Sequence, residues 1–283
     1  LADAVAALLA TVAGADAPRE ARELLAALHD MPRHWVAVQR DSTVTESEWM
    51  RALAAAERRA HGTPLQYAVG QASFRHLTLD VDERVLIPRP ETEQLVEVVL
   101  NAMGDARGGI AVDVGTGSGA IALALASEGA FDRVIGTDIS RDAIVVAESN
   151  ARRCATALRV PVEMRVGSLL GPVPERPLRA VVSNPPYISS GDAESLPASV
   201  RDWEPAVALF SGPDGMDATA RLVREAAAAL EGGGLLALEV DARRASVVAE
   251  LVASDGAFER VQVLLDLTGR ERFVAARKRE AYA

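Results

Sequence analysis

The sequence is short of several residue types, and each shortage closes off a class of function. One cysteine, Cys154, stands in 283 residues, so no internal disulfide framework can form and a reducing compartment, the cytoplasm, is expected. Lys278 is the only lysine. Forty acids outweigh thirty bases for a net charge of −10, with nine acids against eight bases in residues 1–75 and thirty-one against twenty-two in residues 76–283. Gripping a duplex takes several phosphate contacts from a basic face, so strong nucleic-acid binding is not expected. The pairs Arg58-Arg59, Arg152-Arg153 and Arg243-Arg244 read as solvated helix faces. His29, His34, His61 and His76 are not spaced with Cys or with one another as zinc requires, so no metal is expected. No G-x-S-x-G nucleophile elbow occurs, and no charge-free run is long enough to cross a membrane. The alanine-rich opening from Leu1 to Ala15 carries Asp3 and no preceding basic segment, which favours an amphipathic helix over a signal peptide.

Two motifs stand out against this background. Asn184-Pro185-Pro186-Tyr187 follows the apolar run Ala180-Val181-Val182, where a buried strand would end. An Asn side-chain oxygen and a Pro carbonyl are two acceptors, and a rigid Pro-Pro pair can hold them at the separation that grips an NH2 group. Tyr187 offers a flat face for a planar amide or a nucleobase. Taken alone, the motif also fits an ordinary proline turn. Upstream, Ile110 to Val114 leads into Gly115-Thr116-Gly117-Ser118-Gly119 and then the apolar stretch Ala120 to Ala126, a strand, a glycine turn and a helix. Glycines let a ligand approach the backbone, and the helix start supplies free N–H donors. Nineteen residues after Gly119, a second strand ends in Asp138, whose carboxylate could accept both ribose hydroxyls. This pair admits a dinucleotide or S-adenosylmethionine. A clamp for an NH2 group is of no use to hydride transfer, so Asn184 favours S-adenosylmethionine.

Residues 1–65 are helical in character, with Leu24, Leu25 and Leu28 at helical spacing, Asp16 before Pro18 as a start, and Thr45-Glu46-Ser47-Glu48 opening a helix through Ala60. Residues 66–86 alternate at Phe74, Leu77, Leu79 and Val81, as a β-hairpin linker would. From 87 to 283, strands and helices alternate: helix Arg141 to Arg153, strands Val162 to Val166 and Arg179 to Ser183, helix Ala218 to Leu230 and strand Leu235 to Val240. Val261 to Leu265 and Arg272 to Ala276 then close the fold as an antiparallel hairpin. The fold class is α/β, a Rossmann-like doubly wound sheet preceded by a small all-α domain. Both motifs fall at carboxyl ends of strands, so one crevice can hold both ligands.

Val85-Leu86-Ile87-Pro88-Arg89-Pro90-Glu91-Thr92-Glu93, the glycine turn, Asn184 to Ile188, Glu204 to Leu209 and Gly212-Pro213-Asp214-Gly215 together resemble the PrmC/HemK family of release factor glutamine N5-methyltransferases. The resemblance covers nearly the whole chain. It implies methyl transfer from S-adenosylmethionine to the glutamine amide of the Gly-Gly-Gln motif in class I peptide-chain release factors, leaving S-adenosyl-L-homocysteine. By that resemblance Gly115, Thr116, Gly117, Ser118 and Gly119 line the methionine part of the cofactor. Asp138 holds the ribose, Ser168 and Leu169 flank the adenine, and Asn184, which also borders the cofactor, holds the glutamine with Pro185, Pro186 and Tyr187. The helical front domain would recognise the release factor, and a soluble monomer without membrane contact is expected. The chain departs from the family at Ser168, where an acid is common, and at Asp241 and Arg244, where Gly and Gln are. Competing readings are an adenine N6-methyltransferase acting on nucleic acid and a non-catalytic protein that binds S-adenosylmethionine and serves translation.

Overall fold

The computed structural model describes residues 1–31, 34–39, 43–104 and 107–280; the expected domain spans also take in 32–33, 40–42, 105–106 and 281–283, which lie outside the described residues. The chain opens with helices α1 (Ala2–Ala13), α2 (Ala17–Leu28), α3 (Trp35–Val38), α4 (Glu46–Ala60) and α5 (Leu65–Val69). Pro18 stands in the first turn of α2, where a missing N–H costs nothing. At the start of α4 the Thr45 hydroxyl accepts from Glu48 N, while the Glu48 carboxylate accepts from Thr45 N at 2.7 Å, a reciprocal cap. Val5, Leu9, Leu24, Leu25, Ala52 and Ala56 bury one stripe of each long helix in a common core.

The hairpin that follows is shorter than the sequence suggests. Strands β1 (Gln71–Phe74) and β2 (Leu77–Asp80) pair antiparallel, whereas Leu65–Val69 is a helical turn closed by Gly70 in the left-handed region. Two elements tie this hairpin down. Arg75, at its turn, donates to Glu128 and Glu97 side chains and to the Glu93 carbonyl.

The remaining chain forms α6 (Pro90–Met103), β3 (Ile110–Val114), α7 (Ala120–Glu128), β4 (Arg133–Asp138), α8 (Arg141–Arg153), β5 (Val162–Val166) and β6 (Leu178–Ser183), then α9 (Ala198–Arg201), α10 (Ala206–Leu209), α11 (Asp217–Ala229), β7 (Leu230–Glu239), α12 (Ala245–Ser254), β8 (Phe258–Leu265) and β9 (Glu271–Lys278). Seven strands lie in the order β5-β4-β3-β6-β7-β9-β8; β3 to β7 run parallel and β9 is antiparallel to both its neighbours. Side chains alternate between two cores. Ala111, Ala180 and Val182 face α6 and α7, while Val112, Val114 and Val181 face α11 and α12. Helix α7 is buried along its length from Ala120 to Ser127, which explains its lack of a polar face. Strand β7 starts five residues before the expected Leu235, because Leu230 pairs with Leu178 ahead of the glycines at 232–234. Helix α12 has no counterpart in the sequence reading, where the arginines at its start obscured the apolar spacing of Ala245, Val248 and Val252.

Asn150, fully buried on α8, joins the hairpin to the glycine turn. Its Oδ1 accepts from Asp80 N at 2.7 Å, and its Nδ2 donates to the Asp80 and Ser118 carbonyls at 2.9 Å each. Replacing it by alanine orphans three main-chain groups in the interior. Asn150→Ala is expected to destabilise the chain by about 2–4 kcal/mol, read as a lower urea midpoint at unchanged slope.

Candidate active site at the carboxyl ends of the strands

Strands β3 and β6 are neighbours, and the Ser183 hydroxyl closes their ends together by donating to the Val114 carbonyl at 2.6 Å. Over these ends lies a cavity of about 320 Å³, walled by Gly115, Gly117, Asp138, Ser168, Leu169, Asn184, Pro185 and Pro186 among others. The five residues of the glycine turn divide their tasks. Gly115 and Gly117, at φ +73° and +54°, reach the cavity, and a Cβ on either would meet nothing within 4 Å. Thr116, Ser118 and Gly119, which the resemblance also places against the cofactor, are buried and are not part of the cavity wall. The Thr116 hydroxyl donates to Asp113 at 2.6 Å, the Ser118 carbonyl accepts from Asn150, and a Cβ on Gly119 would crowd Leu123 and Met164 at 3.3 Å.

Asp138 stands directly beside the glycine turn in the same wall. Its Oδ2 accepts from Gly117 N at 3.0 Å and its Oδ1 from Ser140 N at 2.9 Å, which leaves each oxygen a further lone pair. Burial pushes its carboxyl above the usual range. The Ser168-Leu169 loop is fixed by Thr137, whose hydroxyl donates to the Leu169 carbonyl at 2.8 Å. Leu169 sits at φ +50°, a conformation that an apolar side chain takes only when its surroundings impose it.

Tyr187 borders a second cavity of about 270 Å³, together with Arg89, Asp241 and Arg243. The two cavities share the wall made by Leu86, Asn184, Pro185 and Ala208. Asn184 Nδ2 donates to the Thr92 hydroxyl at 3.2 Å, and that hydroxyl donates to Glu239 Oε2 at 2.8 Å. Burial pushes the Glu239 carboxyl up to about 7. Burial, aided by the charge of Glu239, pushes the Tyr187 phenol up to about 12, so it stays neutral at physiological pH. The backbone of the clamp is pinned from outside: Arg244 Nη1 donates to the Tyr187 carbonyl at 2.8 Å. This corrects the reading of Arg243-Arg244 as a solvated helix face, because Arg244 precedes α12 and folds back onto the loop after β6. Arg59, likewise read as solvated, forms a half-buried pair with Glu20, while Arg153 reaches Asp80 at 2.9 Å at the surface.

Thr92, Glu204, Arg89 and Glu239 have no role in the sequence reading beyond their place in motifs. Arg89 Nη2 lies 2.5 and 2.6 Å from the two oxygens of Glu204, whose side chain is 1% exposed, and so ties the loop before α6 to the segment after β6. An acid after an apolar strand, as in Leu235 to Glu239, was the one available signal for a buried carboxylate. Among the described residues, no group of three or more His, Cys, Asp or Glu could hold a metal ion, and no helix is long and apolar enough to cross a membrane.

Residues 1–70 match the PrmC N-terminal domain family, and residues 91–199 match the methyltransferase small domain family. The release factor glutamine methyltransferase of Moorella thermoacetica is 41% identical over 268 residues, 94% of each chain. That of Mycolicibacterium smegmatis is 41% identical over 280 residues, 96% of each. The chain belongs to the release factor glutamine methyltransferase family. The fold agrees with a methyltransferase from Pyrococcus furiosus, at a TM-score of 0.53 and 18% identity over 84% of this chain and all of that one. As a member of the family, the chain carries the Arg89–Glu204 pair between two of the motifs on which the resemblance rests. Breaking that pair from one side strands a buried carboxylate. Arg89→Met is expected to cost about 1–3 kcal/mol, discounted because the guanidinium is partly exposed, and adding Glu204→Gln should restore much of it in a double-mutant cycle of unfolding.

Proposed function

We propose that this protein methylates the side-chain amide nitrogen of the glutamine in the Gly-Gly-Gln motif of class I peptide-chain release factors, with S-adenosylmethionine as donor. The observation that carries the proposal is the shared wall: Asn184 and Pro185 border both cavities, so a donor in one and an amide in the other meet at the same two residues. The first cavity fits the donor. Gly115 and Gly117 leave room that a Cβ would fill, and Asp138 offers a fixed carboxylate to a ribose diol. Ser168 and Leu169 supply the wall for a flat base. S-adenosylmethionine, when bound, supplies an electrophilic methyl group on a positively charged sulfur.

An amide nitrogen is a weak nucleophile, because its lone pair is shared with the carbonyl. Asn184 Oδ1 and the Pro185 carbonyl accept the two amide N–H bonds, which orients the nitrogen and raises its electron density. The neutral Tyr187 ring bounds the amide plane. Positioning and a fixed polar environment supply most of the rate, and the proton leaves to water after transfer. The helical segment up to residue 65 supplies the release factor contact, with 66–86 as linker and 87–283 as the catalytic domain. Support comes from the bundle surface, where α4 exposes the large apolar side chains of Trp49 and Met50. A glutamine loop alone offers too little surface for specific recognition.

Three experiments test these points. Labelled S-adenosylmethionine offered with a release factor should label the wild-type factor and neither its Gln→Ala variant nor DNA nor RNA; label on nucleic acid would point to the adenine N6 reading instead. Asn184→Ala should lower the rate by about 10²-fold with cofactor binding intact. Trp49→Ala with Met50→Glu should raise KM about 5- to 30-fold for the whole factor, for about 1–2 kcal/mol of lost contact, and leave KM for a short Gly-Gly-Gln peptide unchanged.

A further inference from the structure

We infer that Thr92 and Glu239 are positioning residues that dictate which end of the Asn184 amide faces the substrate, through a hydrogen-bond chain that runs one way from Asn184 to Thr92 to Glu239. The inference rests on the proposed role of Asn184 as an acceptor for the glutamine amide.

Three elements supply the chain: the loop after β6, the first turn of α6 and the last residue of β7. Thr92 is 5% exposed and Glu239 2%. A hydroxyl has one proton to give. An ionised carboxylate only accepts, so the Thr92 proton is committed to Glu239 at 2.8 Å, and Thr92 presents lone pairs to Asn184. The NH2 end of Asn184 therefore takes that place, at 3.2 Å, and Oδ1 is turned away. Rotating the amide by half a turn would set oxygen against oxygen. Without such a chain the two ends of an Asn amide are nearly equal in shape, and the clamp would present its acceptor only part of the time. A buried acid is costly unless something is gained from it, and here the gain is direction.

The direction depends on charge. Glu239 is faced by Thr92 and Glu91 on α6, by Arg89 before it, by Arg272 on β9 and by Tyr187 after β6. Burial is the largest influence and outweighs the attraction of Arg272 and Arg89. A protonated Glu239 can donate to Thr92, which frees the Thr92 proton to point at Asn184 and draws Oδ1 toward it. The productive orientation is therefore present above a pH of about 7 and lost as pH falls through it.

The test measures kcat, KM and cofactor affinity for Thr92→Val, Thr92→Ser, Glu239→Gln and Asn184→Ala in the full chain. Thr92→Val should lower kcat about 10- to 100-fold with cofactor Kd unchanged, and Thr92→Ser, which keeps the hydroxyl, should stay close to wild type. The wild-type kcat should rise with pH through about 7, and Glu239→Gln should be slower and flat across that range. Thr92→Val and Glu239→Gln together should cost no more than the worse single change, because both break one chain. The inference is overturned if Asn184→Ala is crippled while Thr92→Val or Glu239→Gln keeps the wild-type kcat and pH profile, or if Thr92→Ser is as slow as Thr92→Val. A wild-type rate for Asn184→Ala overturns the acceptor reading itself.

Discussion

Strands β3 and β6 lie side by side, yet the chain leaves their ends in opposite directions: α7 carries it to β4 on one side, and α11 carries it to β7 on the other. A parallel sheet opens a crevice where its strand order reverses in this way, because the two outgoing connections part to opposite faces. The glycine turn and the Asn184 loop are those two connections. Their separation is therefore set by the spacing of adjacent strands and by the Ser183 to Val114 hydrogen bond, with little dependence on the loops' own conformations.

The crevice is then stiffened by acids that the interior tolerates only because they are hydrogen-bonded. Asp113 is fully buried and pushed up to about 7; its Oδ2 accepts from the Thr116 hydroxyl and from Ala122 N, joining the glycine turn to the start of α7. Its Oδ1 has no partner among the described residues. Glu204 holds Arg89, and Glu239 holds Thr92. Asp113 acts locally, whereas Glu204 and Glu239 join segments more than a hundred residues apart, so the walls of the site are braced from behind by buried carboxyl groups.

What the sequence made legible follows the reach of its signals. The glycine turn, Asp138 and Asn184 to Tyr187 each lie within a few residues of a strand end, so local pattern locates them. The helical front segment shows in its own helical spacing and the closing hairpin in two apolar runs about a glycine turn, whereas the strand order emerges only in the assembled sheet. Thr92 reads as part of a helix start, and its partner Glu239 lies 147 positions away, a pairing that only the assembled sheet brings about. Arg244 carries a charge and precedes an apolar helix, which is what a solvated residue looks like; its contact with the Tyr187 carbonyl spans 57 positions. Thr116, Ser118 and Gly119, which are buried, cannot be told from Gly115 and Gly117 by pattern alone. A contiguous motif invites one role for all five residues, while the backbone turns Thr116, Ser118 and Gly119 toward the core.

Asn150 touches both the hairpin below the helical bundle and the back of the glycine turn. The Asp80 main chain is bound through both its N–H and its carbonyl, so the strand cannot slide along α8 without loosening the same amide that steadies Ser118. The hairpin and the glycine turn thus share one side chain, so a shift of either strand or turn strains the same buried amide.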